Sequence, residues 1–203
     1  MRGDYKFIFP MAFPLYTIGY ASFSPADLIK RLLELSVRAV VDTRAEPHVS
    51  SFPAYRQPAI KKFLTENKIY YLDFGAELGA RPRLPELYSD GRADFSKIAA
   101  WEPFRRALER VRKGLEKFPV CLMCAQKDPL NCHRSILLTR EFRALYPEVA
   151  IAHILSPEDI ESEEALRERL TRARGGGQLF LGAGADALGE AYRERERKIA
   201  YCK

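Results

Sequence analysis

The stretch Val120–Ser135, VCLMCAQKDPLNCHRS, predicts a strand, a polar loop and a helix in succession. Val120–Cys124 is a short apolar run, as expected of a buried strand. Ala125–Asn131 is polar, and its Asp128-Pro129 dipeptide favours a turn. Apolar residues at helical spacing resume at the end of the stretch, with Asn131 as the candidate N-cap residue. This order of elements indicates an α/β protein.

The residues after the candidate N-cap would fill the first helical turn, where backbone amides lack intrahelical partners. Cys132 can be a nucleophile there, because the helix dipole and a nearby cation lower a thiol pKa. His133 can act as an acid, a base or a metal ligand. Arg134, followed by Ser135, can hold a phosphate or carboxylate beside the amides. The alternative is a strand–helix turn whose Cys residues only pack.

Strand and helix patterns alternate along the rest of the chain. The predicted strands are Tyr16–Gly19, Ala39–Asp42, Ile69–Leu72, Val120–Cys124 and Val149–Ile154. Their apolar runs favour a three-layer α/β/α fold, with a mostly parallel sheet of these five strands covered on both faces. Residues 1–155 are predicted to form the core domain. Residues 156–203 are predicted to form a helical extension packed on it, opened by Ser156–Asp159.

Chemically active residues fall at the carboxyl ends of the predicted strands, where ligands bind in parallel sheets. These residues are Gly19, Tyr20, Asp42, Arg44 and Cys124. One residue separates Asp42 from Arg44, so both side chains can point to the same side. They can form an ion pair that positions Arg44, or Asp42 can act as a base; the alternative is a structural salt bridge.

The long irregular segment 73–100 contains Arg81. This arginine can belong to a lid over a phosphate, or it can be an ordinary solvated charge.

Composition indicates a globular protein without a disulfide framework. The chain has 203 residues, of which 47% are hydrophobic and 30% charged, and its four Cys residues are predicted to be reduced. The net charge of +6 permits a small phosphorylated molecule or nucleic acid as partner. Two prolines interrupt the apolar segment Lys6–Pro14, so we expect no signal peptide, no membrane partner and a cytoplasmic location. Cofactor and oligomeric state are not predicted.

Zinc binding has to be considered, because Cys121 and Cys124 are followed by Cys132 and His133, and both residue types bind zinc. The second separated pair of a zinc finger is missing, and Cys121 and Cys124 would point to opposite faces of a straight strand. No metal is therefore predicted. If one were bound, its ligands would be Cys124, Cys132 and His133.

Two further functions remain open. Asp-x-Arg after one strand, and Cys at the end of a later strand before an Arg-opened helix, resemble the order in rhodanese-like sulfurtransferases. This order makes a Cys-dependent sulfurtransferase or redox enzyme an alternative. A non-catalytic nucleotide- or RNA-binding module would fit the basic charge, but the sequence has no aromatic-rich strand motif of the RRM type.

Four segments resemble a known family. Cys124–Arg134 is similar to the signature of the bacterial and archaeal family called domain of unknown function 488, and Thr17–Tyr20, Val41–Pro47 and Glu77–Arg81 fit it in the same order. The resemblance covers residues 16–154. It implies the fold and no established reaction.

The interpretation we favour from sequence is a small enzyme, a hydrolase or transferase, acting on a phosphate-bearing substrate such as a nucleotide or nucleic-acid component. Cys124 or Cys132 would be the nucleophile, His133 the acid–base group and Asp42 a candidate base. The predicted substrate-binding residues are Arg134, Arg44, Gly19, Tyr20, Arg81 and Ser135.

Overall fold

The structure is a computed structural model that describes residues 12–174 and 186–203. The strands are β1 Leu15–Gly19, β2 Ala39–Asp42, β3 Tyr70–Asp73, β4 Tyr88–Ser89, β5 Arg92–Ala93, β6 Val120–Cys124, β7 Ile151–Ile154 and β8 Ile160–Ser162. The α-helices are α1 Pro25–Glu34, α2 Gln57–Glu66, α3 Gly75–Leu78, α4 Phe95–Ala100, α5 Glu102–Leu115, α6 Arg140–Leu145, α7 Glu163–Arg174 and α8 Ala187–Ile199. Short 3-10 turns span Tyr20–Ser22, Pro53–Tyr55, Pro85–Leu87 and Pro129–Asn131, and a π-helical turn, Arg134–Thr139, leads into α6.

Six strands form the main sheet in the order β3-β2-β6-β1-β7-β8. All neighbours are parallel except β7 and β8. The mostly parallel sheet predicted from the sequence is confirmed, and β8 is an additional antiparallel strand at its edge. In the register, Gly19 lies beside Cys124, and Asp42 lies beside Met123. The carboxyl ends of the three central strands β2, β6 and β1 therefore meet.

Helices cover both faces of the sheet, as the apolar strands require. Val40, Cys121 and Met123 face the side covered by α1 and α2. Val41 and Leu122 face the opposite side, where the buried residues of α5 and of the C-terminal helices pack. Because successive residues of a strand point to opposite faces, the two cores are separate, and the three-layer α/β/α fold is confirmed.

Helix α1 begins as its sequence predicts. Ser24 has an extended backbone, and its hydroxyl accepts a hydrogen bond from the Asp27 amide at 3.2 Å. Pro25 occupies the first helical position, where its missing N–H costs nothing. These contacts fix the entry of the chain from β1 into the helical layer.

The predicted N-cap at Asn131 is wrong. Asp128 instead accepts a hydrogen bond from the Leu130 amide at 3.0 Å, and Pro129 starts a separate 3-10 turn that ends at Asn131. Because proline fixes its own φ, Pro129 starts this 3-10 turn locally, and the side chain of Asp128 caps the turn. Cys132 then has extended backbone, and helical geometry begins at His133.

The C-terminal segment also differs from its prediction. Ser156–Asp159 was expected to open a helix, but it forms a turn in which the Leu155 amide donates to the Asp159 carbonyl at 3.0 Å. Strand β8 follows, and α7 begins only at Glu163. Helices α7 and α8 still pack on the core, through the buried side chains Leu166, Leu170, Ala191 and Tyr192.

The cap of α4 gives a testable pH dependence. Asp94 accepts hydrogen bonds from the amides of Ser96 and Lys97. Burial raises the pKa of Asp94, but these amides and the hydroxyls of Ser96 and Ser89 outweigh burial and lower the pKa to about 2. Because this value lies below the pKa of the unfolded chain, the stabilisation is present above about pH 4 and is lost as pH falls towards 2.

We expect Asp94→Ala to lower the free energy of unfolding by about 1–2 kcal/mol near neutral pH. The difference from wild type should shrink as the pH is lowered, because the carboxyl group of the wild-type protein becomes protonated. Urea denaturation at a series of pH values measures it. Exposed Glu86 provides the control, since Glu86→Ala should change stability by less than about 0.5 kcal/mol. A difference that does not vary with pH would contradict the role of the charge.

Within the described ranges, no helix is long and apolar enough to cross a bilayer. Most of the apolar segment Lys6–Pro14 lies outside the described residues.

Candidate functional site

A cluster of two thiols and one imidazole lies at the meeting point of the central strand ends. Cys124 is the last residue of β6, and Cys132 and His133 follow the loop that leaves it. One ligand atom from each of the three side chains lies within 4.8 Å of the other two. Cys124 and His133 keep 7% of their surface exposed and Cys132 keeps 2%. We call these three residues the Cys–His cluster.

The imidazole of His133 is oriented by the backbone of the neighbouring strand. Its Nε2 lies 3.1 Å from the carbonyl oxygen of Thr43. A carbonyl oxygen only accepts hydrogen bonds, so Nε2 carries the hydrogen and Nδ1 carries a lone pair when the ring is neutral. Nδ1 lies 3.7 Å from Sγ of Cys132 and 3.8 Å from Sγ of Cys124. The lone pair therefore faces both sulfurs.

Different surroundings give Cys121, Cys124 and Cys132 different pKa values. Burial acts to raise the pKa of Cys132, but the contact with Cys124, the positive charge of Arg134 and the contact with His133 outweigh burial and lower the pKa well below the usual range. The same contact with Cys132, followed by burial, raises the pKa of Cys124. Burial raises the pKa of Cys121, which packs in the core under α1 and α2. Cys132 is thus the thiol that loses its proton most easily.

Arg134 is fully buried, and it holds the loop that connects the two thiols. Its guanidinium donates to the carbonyl oxygen of Gln126 and, at 2.9 Å, to that of Lys127. Its Nε has no hydrogen-bond partner among the described residues. Both contacts are to the loop backbone, so the guanidinium stabilises the conformation of the loop. Its predicted role in binding an anion stays a prediction.

Gly19 lets the same loop approach the sheet. A Cβ atom at this position would lie 1.8 Å from the Gln126 carbonyl oxygen and 2.9 Å from a guanidinium nitrogen of Arg134. No side chain fits in that space without moving the loop. Gly19 therefore contributes to the site by allowing the loop backbone at Gln126 to approach the end of β1 closely.

Asp42 and Arg44 form a buried bidentate ion pair. Arg44 donates from Nε to Oδ1 at 2.8 Å and from a terminal nitrogen to Oδ2 at 2.5 Å. Tyr71 donates to Oδ2 at 2.7 Å, and the Arg44 amide donates to Oδ1 at 3.1 Å. Burial acts to lower the pKa of Arg44, but the hydrogen bonds and charge of Asp42 outweigh it and raise the pKa. With four donors on its carboxylate, Asp42 fits the ion-pair alternative better than that of a base.

Tyr20 belongs to the wall beside this ion pair. Its ring stacks on Tyr55 with centroids 4.2 Å apart, and its hydroxyl lies 3.2 Å from that of Ser50. Arg44 donates to the Tyr20 hydroxyl at 3.4 Å and to the Tyr55 carbonyl at 2.7 Å. These contacts leave Arg44 committed to protein atoms on several sides.

Two other predicted site residues have different surroundings. Arg81 is exposed and pairs with Glu46 at 3.0 Å. Ser135 is fully buried, and its hydroxyl has no hydrogen-bond partner among the described residues. Neither side chain has a described hydrogen bond to the Cys–His cluster, and their predicted roles stay predictions.

Backbone carbonyls complete the site, and they are the part that the sequence did not predict. The carbonyl of Thr43 orients His133, and those of Gln126 and Lys127 bind Arg134. Thr43 is itself fixed, since its amide and hydroxyl both donate to the Met123 carbonyl at 3.0 Å. A carbonyl has no side-chain signature. The position of Thr43 between Asp42 and Arg44 was the only available sign of its role.

Comparison with known proteins gives one match. The family model described as "Domain of unknown function DUF488" matches residues 24–140. Three of the four resembling segments fall inside this range, and Thr17–Tyr20 lies before it. Curated proteins and solved structures provide no match. Because the matched range is more than half of the chain, this protein belongs to the DUF488 family, whose function is unknown.

Proposed function

We propose that the protein is a thiol-dependent sulfurtransferase in which the Cys124–Cys132 pair accepts and passes on a sulfur atom. The observation that carries the proposal is the convergence of two thiols on one oriented imidazole nitrogen, at 3.7 and 3.8 Å. An imidazole beside a thiol is the usual means of generating a nucleophilic thiolate. The location at the carboxyl ends of parallel strands supports the same conclusion.

The transfer step needs a donor of sulfane sulfur, for which thiosulfate serves. The Cys132 thiolate attacks the outer sulfur of thiosulfate and forms a new S–S bond. The old S–S bond breaks, and its electron pair leaves with sulfite, so Cys132 carries a persulfide. An external nucleophile then takes the outer sulfur and returns the Cys132 thiolate. Donor and acceptor balance, and the cycle consumes no reductant.

The second thiol supports a branch of this reaction. When the Cys124 thiolate attacks the inner sulfur of the Cys132 persulfide, a Cys124–Cys132 disulfide forms and hydrosulfide leaves with the electron pair. The thiol proton of Cys124 passes through Nδ1 of His133 to the departing sulfur, which is how that sulfur leaves as hydrosulfide. An external dithiol must then reduce the disulfide to restore the site. Cys132 is assigned the first attack because its pKa is lowered below the usual range, whereas the pKa of Cys124 is raised.

The phosphate-directed hydrolase or transferase predicted from sequence has less support. Arg134 is committed to loop carbonyls, and Arg44 to Asp42 and Tyr55. A phosphate would have to displace these contacts to reach either guanidinium. The nucleotide- or RNA-binding alternative has no contact among the described residues that favours it over the thiol chemistry.

Sulfur loading tests the proposal directly. Metal-free protein is incubated with thiosulfate, digested, and analysed by mass spectrometry for peptides heavier by one sulfur atom. We expect the added sulfur on the peptide that contains Cys132, and we expect thiocyanate to form when cyanide is supplied as acceptor. Cys132→Ser should reduce thiocyanate formation to the background rate. Cys124→Ser should keep the persulfide but release no hydrosulfide.

Cys202→Ser is the matched control, because Cys202 is exposed and lies in the C-terminal tail. This variant should load sulfur like wild type. Equal loading of Cys202 and Cys132 would indicate nonspecific chemistry and would overturn the proposal. So would the absence of persulfide on correctly folded wild type.

A further inference from the structure

The Cys–His cluster has a second property that thiol chemistry alone does not require. Nδ1 of a neutral imidazole has one lone pair, which can accept one hydrogen bond in its own direction. Two sulfurs nevertheless lie at nearly equal distances from it, 3.7 and 3.8 Å. Such an arrangement is expected when the three atoms surround a common centre.

The distances fit a tetrahedral metal ion. Zinc binds thiolate sulfur at about 2.3 Å and imidazole nitrogen at about 2.0–2.1 Å. The tetrahedral angle then places sulfur and nitrogen about 3.6 Å apart. Both observed distances lie close to this value, and all three ligand atoms are within 4.8 Å of one another.

The groups around the cluster also match those of a zinc site. Metal-binding histidines usually donate their second ring N–H to a carbonyl or carboxylate, which fixes the ring and leaves the other nitrogen for the metal. Nε2 of His133 donates to the Thr43 carbonyl at 3.1 Å. Two thiolates neutralise the charge of Zn²⁺. Because all three ligands are buried, the ion would be shielded on most sides.

We infer that Cys124, Cys132 and His133 form a three-ligand binding site for Zn²⁺, whose fourth coordination position is left to a ligand from outside the cluster. Three protein ligands and one open position distinguish this site from a closed structural one. Binding also has a consequence that rests on the proposed function. Zinc binds one lone pair of each sulfur and the lone pair of Nδ1 and withdraws negative charge from both thiolates, so the metal-bound protein should accept sulfur far more slowly than the metal-free protein. Zinc therefore regulates the thiol pair by slowing its reaction.

Metal binding is measured without any turnover. The metal-free full chain is titrated with Zn²⁺ and followed by native mass spectrometry, and Co²⁺ is used as a spectroscopic substitute. We expect one ion per chain and a thiolate-to-cobalt charge-transfer band. Cys124→Ser, Cys132→Ser and His133→Ala should each weaken binding at least about 100-fold, more than the loss of an outer contact causes. Cys121→Ser and Cys202→Ser should bind like wild type.

A second measurement uses only the wild-type protein, so it does not depend on the variants folding. Stoichiometric Zn²⁺ should protect Cys124 and Cys132 from alkylation and leave Cys202 reactive. Failure to bind Zn²⁺, or unchanged binding by all three ligand variants, would overturn the inference. Sulfur loading of metal-free protein separates the two proposals. Sulfur loading without zinc binding would support the sulfurtransferase proposal and reject the zinc site. Zinc binding without sulfur loading would support the zinc site and reject the sulfurtransferase proposal.

Discussion

Arg134→Ala should lower the free energy of unfolding by about 3–6 kcal/mol. Arg134 is fully buried, and its removal leaves the carbonyls of Gln126 and Lys127 without donors. Loss of each of these part-buried hydrogen bonds costs about 0.5–1.5 kcal/mol, and the lost volume of the fully buried side chain adds a cavity term of about 2–3 kcal/mol. Arg134→Lys should lose less, because an ammonium can still reach one carbonyl but lacks the planar fork. Urea denaturation of both variants measures the losses.

The loop should respond together with stability. Once the guanidinium is removed, the segment between the thiols is less restrained, so Cys124 and Cys132 should be alkylated faster in Arg134→Ala than in wild type. Arg143→Ala is the control, because Arg143 pairs with Glu164 on the surface and should cost less than about 1 kcal/mol. Each measurement is repeated with phosphate. A stability difference that appears only with phosphate would support the anion-binding prediction instead.

Glu163→Ala should destabilise the protein by about 3–5 kcal/mol, since it removes one partner of a buried hydrogen-bonded pair. Glu163 and His153 are both fully buried, and Oε2 of Glu163 lies 2.9 Å from Nε2 of His153. The same oxygen accepts from Thr139 at 3.0 Å. On its other side, the His153 ring lies 2.9 Å from the Thr17 hydroxyl. The network joins β1, β7, α7 and the π-helical turn.

Substitution of the neighbouring acid provides the comparison for this network. Glu164→Ala should change stability by less than about 1 kcal/mol, because Glu164 is exposed and its ion pair with Arg143 lies at the surface. Glu163→Gln keeps the volume and one acceptor and should cost about 1–2 kcal/mol. Thermal and urea unfolding give the values. Equal effects of Glu163→Ala and Glu164→Ala would show that the buried network contributes little.

The sheet could be predicted because its strands are apolar on both faces. Val120–Cys124 and Ala39–Asp42 have no polar residue before their carboxyl ends, and a parallel sheet is the usual place for such runs. Strand β8 could not be predicted in the same way. Strand β8 has only three residues, and one of them is the charged Glu161. It lies at the edge of the sheet, so it pairs with a neighbouring strand on one side only. The preceding Ser156–Asp159 also resembles a helix start.

Prediction of the site was limited by features that depend on tertiary structure. The Asp42–Arg44 contact followed from spacing within an extended chain. Burial of Arg134 could not be predicted from spacing. The sequence around an arginine at the start of a helix is the same whether its side chain faces solvent or a loop carbonyl. The proximity of Cys124 and Cys132 depends on how the intervening loop folds back, which spacing alone does not specify. Zinc was set aside for the pair Cys121 and Cys124, whereas the clustered pair is Cys124 and Cys132.

The place of β6 in the sheet has a consequence for biosynthesis. Strands β1 and β2 leave the ribosome early, but each pairs with β6 and neither pairs with the other. Until β6 emerges, the nascent chain has two unpaired strand edges facing a gap, which other chains can fill. Cys124 is carried by the strand that closes this gap. We therefore expect a half-synthesised molecule to aggregate more readily than the complete chain, at a stage when it does not yet contain the thiol pair.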